Sequence, residues 1–155
     1  MQARIPLSPA KFADAFRAMM GLAPPIKASG LESSLIHLVH MRASQINGCG
    51  YCLDMHSKDA RAAGETEQRL YVLPTWREAP FYSDRERAAL GWTEAVTKLT
   101  DGHVPDEVYS QAAAVFTEIE LVALTLAIVQ INGWNRINIA FNALPGTYQV
   151  GQHAT

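Results

Sequence analysis

Apolar residues recur at three- and four-residue intervals along every periodic stretch of this chain, and no stretch alternates apolar and polar residues with period two between tight turns. A helix buries a stripe at the first spacing, whereas a half-buried strand needs the second, so the chain is restricted to helix packed on helix. The expectation is an all-α fold of six to eight helices in a single domain over 1–155, with a core of about 5–145 and a short C-terminal tail.

Ser8-Pro9 opens a first helix over 8–20, with Phe12, Phe16 and Met19 at helical spacing, and Gly21 followed by Pro24-Pro25 ends it. A second helix over 31–46 carries Leu35, Leu38, Val39, Ala43 and Ile46 in one stripe, with His37, His40 and Ser44 roughly opposite. Asn47-Gly48 breaks that pattern, and a third helix runs over about 49–63, with Gly64 placed for the left-handed residue that often closes a helix. A short helix over 66–73 stops at Pro74. Ser83 with Glu86, and Thr117 with Glu120, have capping-box spacing, while Pro105-Asp106-Glu107 starts another helix with acidic residues at its positive end. The helix after Thr117 is apolar almost all round, which fits a helix enclosed by protein at the centre of the core or of a subunit interface.

At 155 residues, 48% of them apolar, the chain can bury a core without disulfide or metal support. Charged residues make up 18% of it, below the roughly one quarter of an ordinary soluble domain, so part of the surface is expected to be covered in a homo-oligomer. The net charge of −2 and the scattered Lys and Arg leave no basic footprint for phosphates, and no nucleic-acid partner is expected. The richest apolar run, 119–131, is broken by Glu120, Thr125 and Gln130 and falls short of the ~20 residues a membrane span needs. The opening Met-Gln-Ala-Arg-Ile-Pro-Leu does not read as a signal peptide, so the expected location is the cytoplasm.

Chemistry concentrates in Asn47-Gly48-Cys49-Gly50-Tyr51-Cys52-Leu53-Asp54-Met55-His56. The chain has two cysteines, and they stand too close together to staple distant segments; in a reducing compartment such a pair means redox chemistry or metal. Cys49, Cys52 and His56 fall at i, i+3 and i+7, on one helical face. Unpaired amides at a helix start lower a thiol's pKa from ~8.5 toward ~3.5–7.5. The thiolate is the nucleophile, and a second cysteine one turn away can capture a sulfenic acid or a mixed disulfide. His56, with an unperturbed pKa near ~6.5, can take the thiol proton and return it to a leaving oxygen.

Blander readings compete. A free cysteine is often a small buried hydrophobe, and a lone histidine is more often core or surface than catalytic. Haem attachment would need a histidine directly after Cys52, where Leu53 stands, and a thioredoxin-like domain would need a strand before Cys49. Zinc held by Cys49, Cys52, His56 and either His37 or His40 stays open, although the spacing matches no zinc finger.

The run Met41-Arg42-Ala43-Ser44-Gln45-Ile46-Asn47-Gly48 and onward to His56 resembles the AhpD-like alkylhydroperoxidase family of the carboxymuconolactone decarboxylase superfamily. The resemblance continues through Trp76-Arg77-Glu78-Ala79-Pro80-Phe81-Tyr82-Ser83 and Ile131-Asn132-Gly133-Trp134-Asn135-Arg136. It implies an AhpD-like helical fold assembling as trimers or hexamers, and a cysteine pair that reduces hydroperoxides. It also implies no tightly bound cofactor and recharging by an external dithiol, in the better-known members a lipoyl-bearing partner. By position, Cys52 would be the peroxidatic nucleophile, Cys49 the resolving cysteine and His56 the proton relay; helix polarity alone favours Cys49 as the lower-pKa thiol.

The chain departs from the family at His37, which stands where the family has an acidic residue. A carboxylate there takes a proton at the cost of repelling the thiolate, whereas a histidine would become a cation that stabilises it. His37 is otherwise a plain polar-face residue of its helix, and Tyr51 replaces a histidine found in some members. True carboxymuconolactone decarboxylases generally lack the cysteine pair, which weighs against decarboxylation. The expected activity is a thiol-dependent peroxidase, with a protein disulfide reductase or a zinc-stabilised non-catalytic module as alternatives.

Overall fold

Ser83 and Thr117 each accept a hydrogen bond from the amide three residues on, and the Glu86 and Glu120 carboxylates accept one from the cap amide, completing both capping boxes. The helices they start are α6 (Asp84–Thr97) and α8 (Glu118–Ala140) in a computed structural model that describes residues 2–100 and 102–153. Before them come α1 (Ala13–Met20), α2 (Ala23–Ala28), α3 (Ser33–Asn47), α4 (Gly50–Ala62) and α5 (Glu67–Val72), and α7 (Asp106–Ala113) lies between. A 3-10 turn, Leu73–Thr75, follows α5, and no strand occurs among the described residues.

The first helix begins at Ala13 rather than at residue 8 and ends at Met20 with Gly21 as its C-cap, as expected, whereas Pro24-Pro25 occupy the first turn of a further short helix, α2, that the sequence pattern did not disclose. A proline there lacks an amide that would have had no helical partner anyway. The short helix expected over 66–73 is α5, which ends at Val72, and Pro74 lies in the 3-10 turn that follows it.

Helix α3 organises the core. Its Leu35 and Val39 pack with Trp92, Phe116, Leu124 and Ile128, its Leu38 and Met41 with Leu70, Leu73, Trp76 and Leu90, and its Ala43 with Cys49, Cys52 and Ile131. Each fully buried leucine contributes about 1.5–3 kcal/mol, so one helix feeding all three clusters holds the layers in register. The face opposite its apolar stripe is therefore not a solvent face: Ser44 is fully buried, and His37 and His40 are partly buried. Amphipathic patterning marks the most apolar side of a helix but cannot tell whether the other side is wet.

Helix α8 lies against α3 and α6, burying Leu121, Leu124, Ile128 and Ile131. It is not enclosed all round in the single chain: Ile119, Val122 and Val129 stand exposed, at 73%, 61% and 51%. No helix among the described residues is long and apolar enough to cross a membrane.

Candidate active site

The site is built on the tight turn between α3 and α4. Gly48 takes a left-handed conformation, φ 71° and ψ 31°, which glycine adopts without a Cβ penalty. The Cys49 amide then reaches back to the Ser44 carbonyl at 3.0 Å and the Gly48 amide to the Gln45 carbonyl at 3.3 Å, a Schellman closure of α3. That closure delivers Cys49 as the N-cap of α4, where its Sγ accepts from the Cys52 amide at 3.4 Å.

The turn is pinned to α8 by a column of asparagines. Asn47 Nδ2 donates to Asn132 Oδ1 at 2.9 Å and to Asn135 Oδ1 at 2.8 Å, and Asn135 Nδ2 donates to Ser44 Oγ at 3.0 Å. Asn135 is fully buried, so its amide would be costly without these partners. One turn further along α8, Asn138 Nδ2 donates to Cys52 Sγ at 3.4 Å.

Cys49 and Cys52 are joined as a disulfide with Cα atoms 5.4 Å apart, and both are buried. His56 follows Cys52 by one helical turn on the same face and is also buried. Its ring lies 4.7 Å from that of His40, centroid to centroid, at 49°. His37 stands one turn before His40 on α3, and lines a cavity of about 270 Å³ with Ser34, Gly64, Glu65, Arg69 and Glu86. Three buried ring nitrogens, His37 Nδ1, His40 Nε2 and His56 Nε2, have no hydrogen-bond partner among the described residues.

These histidines are held neutral. Burial, and then the neighbouring His40 and His37, push His56 well below the ordinary imidazole range. Burial and His37 bring His40 down to about 4. Burial also lowers His37, but Asp59 and Glu65 oppose it. A proton on this set is thus most at home on His37, toward the cavity, and least at home beside the disulfide. Burial thus makes His37 a poorer proton acceptor than a free imidazole, while Asp59 and Glu65 work to keep it one.

The C-terminal segment straps the outer side of α4. Tyr148 is buried, its hydroxyl donates to Asp59 Oδ1 at 2.8 Å, and its carbonyl accepts from Lys58 Nζ at 3.1 Å. The Gly146 amide donates to Asp54 Oδ2 at 2.9 Å, and Tyr51 Oη lies 3.1 Å from His153 Nε2. Tyr51 is therefore turned toward the tail.

Cys49 and Cys52 are paired across the N-cap of α4, His56 is buried one turn past Cys52 against the His40 ring, and His37 lies one turn before His40 on α3. Sequence reasoning assigned His40 only as one zinc option and gave Asn138 nothing. The available signal was Asn132, Asn135 and Asn138 at three-residue steps on an otherwise apolar helix, a pattern that buried amides adopt only with partners. Among the described residues, no group of three or more His, Cys, Asp or Glu side chains is arranged to hold a metal ion.

An all-helical domain with a paired Cys-x-x-Cys at a helix start and neutral histidines beneath it defines a class of helical dithiol proteins. The chain belongs to the carboxymuconolactone decarboxylase family, as an AhpD-like member, and the family's sequence profile matches residues 12–95. It is 44% identical over 127 residues to the uncharacterized protein YdfG of Bacillus subtilis, covering 82% of this chain and 86% of that one. Its fold is similar to the crystal structure of ATU0492 from Agrobacterium tumefaciens, a protein of unknown function for which AhpD-type antioxidant defence has been suggested. The TM-score is 0.87 and the identity 41%, over 95% of this chain and 100% of that one. The debrominase Bmp8 shares the fold with a TM-score of 0.78 at 24% identity, over 89% of this chain and 74% of its own.

Proposed function

We propose that the protein is a thiol-dependent peroxidase that reduces hydroperoxides with Cys52 and Cys49 and is recharged by an external dithiol. The observation that carries this reading is the buried Cys49–Cys52 pair at the start of α4 with His56 one turn away. In the reduced state the Cys52 proton passes to His56. The thiolate attacks the distal peroxide oxygen, the O–O bond breaks, and the alkoxide takes the proton from His56 to leave as an alcohol. Cys52 is then a sulfenic acid, and the Cys49 sulfur displaces its hydroxyl as water, closing the disulfide. A dithiol reductant, such as a lipoyl-bearing protein, reopens it by exchange and leaves as its own disulfide.

His56 is too deeply buried to keep a proton for long, which suits a group that takes the proton from Cys52 and returns it to the leaving oxygen within one turnover. Burial of both sulfurs favours a small substrate over a protein disulfide, whose chain would have to reach them. The exposed apolar strip of α8, Ile119, Val122 and Val129, supports assembly as a homo-oligomer. Hydroperoxide-dependent consumption of dihydrolipoamide tests the reading: it is expected to vanish in Cys52→Ser and to fall steeply in His56→Ala. Undiminished turnover in Cys52→Ser would overturn it.

A further inference from the structure

Asn138 puts a neutral N–H donor on the sulfur that the mechanism needs as an anion. Its Nδ2 lies 3.4 Å from Cys52 Sγ, with both residues buried. The main chain of Asn138 is fixed where the chain turns out of α8, its backbone carbonyl accepting the Ala143 amide at 2.9 Å. Its neighbours Asn132 and Asn135 already tie α8 to the turn before Cys49, so the contact with Cys52 is not needed for that anchoring.

The chemistry of sulfur gives this contact a direction. Thiol and disulfide sulfurs are weak acceptors, whereas a thiolate is a charged and strong one. A fixed donor therefore contributes little to the resting forms and much to the reactive one. Water, which would otherwise solvate the anion, is kept away by the same burial. The titratable groups around the pair are Tyr51, which packs against the cysteine cluster, and His56 on α4, with His40 and His37 on α3, and burial shifts each of them toward its neutral form. None of them supplies a standing positive charge to the sulfur.

We propose that Asn138 is a catalytic residue whose side-chain amide stabilises the Cys52 thiolate, making Cys52 the nucleophile although the helix end favours Cys49. The proposal rests on the dithiol chemistry above. No bond to Asn138 forms or breaks; the Cys52 proton goes to His56, and the amide stays neutral throughout. Cys49 has a donor of its own in the Cys52 main-chain amide, at 3.4 Å, so Asn138 gives Cys52 the counterpart that the helix end alone would not.

The test measures the Cys52 thiolate without any peroxide, in a Cys49→Ser background where the serine oxygen preserves the helix cap. Iodoacetamide alkylation is followed against pH with Asn138 intact, with Asn138→Leu and with Asn138→Asp, each checked for native far-UV circular dichroism. The midpoint is expected to rise by about one unit in Asn138→Leu, about tenfold less thiolate below it, and further in Asn138→Asp because a carboxylate repels the anion. An unshifted midpoint in a folded variant overturns the proposal. A measurement without substitution at 138 covers a failure to fold: in ¹⁵N-labelled Cys49→Ser protein the Asn138 side-chain amide resonances should titrate with the Cys52 midpoint, and invariant resonances overturn the proposal. If the midpoint shifts but no hydroperoxide is consumed by the wild-type protein, the peroxidase reading fails and the role of Asn138 at the thiolate stands.

Discussion

Lowering the pH should destabilise this protein through its histidines, and His40 is the residue on which to measure it. Its ring binds a proton at about 6.5 in the unfolded chain and at about 4 in the fold, because burial and His37 disfavour the cation. A depressed folded pKa means that the unfolded state binds more protons, so the contribution is complete above about pH 6.5 and is lost as pH falls toward 4. At pH 5 the two values give a loss of about 2 kcal/mol, rising to about 3 kcal/mol at pH 4. For a chain of this size about 2 kcal/mol corresponds to roughly 4–8 °C in Tm. Thermal unfolding of the disulfide form at pH 7.5 and pH 5, in wild type and in His40→Gln, isolates the term: the variant should lose less Tm on acidification by that amount. His56 acts in the same direction and remains in both proteins. Equal losses in the two proteins would refute the argument that the His40 ring is held neutral by the fold.

Two further outcomes follow from the turn and from the exposed strip. Gly48→Ala should lower stability by about 1 kcal/mol in urea unfolding, because φ 71° is unfavourable for a residue with a Cβ even though nothing lies within 4 Å of the added atom; unchanged or higher stability would contradict the turn geometry. Val122→Glu combined with Val129→Glu should shift the species seen by sedimentation or light scattering toward the monomer, and an unaltered assembly would place the subunit contact elsewhere.

Much of the fold was legible because helix signals are local. The serine and threonine caps at positions 83 and 117, the glycines at 48 and 64, and the apolar spacing within α3 and α8 act over three or four residues, and each has its expected place in the structure. The chemistry of the Cys49–Cys52 pair and the histidine one turn beyond was equally local, since one helical turn brings them to one face. The helix that starts at Pro24-Pro25 shows the limit of such signals: proline is excluded from helix interiors but suits a helix start, and only the chain's path says which applies.

The remaining decisions belong to contacts between distant segments. The sequence by itself determined an all-helical chain with a dithiol at a helix start and a histidine beneath it, because periodicity, caps and i,i+4 neighbours are properties of single helices. Tertiary packing alone decided that the polar side of α3 is covered rather than wet. That burial lowers the imidazole pKa of His37 and His40, and burial on α4 does the same for His56, with a ring nitrogen of each left without a hydrogen-bond partner among the described residues. Packing alone also set Asn138, 86 positions along the chain from Cys52, against the sulfur, because the environment of a buried group is made by whichever helices cross there, and no local rule records that crossing.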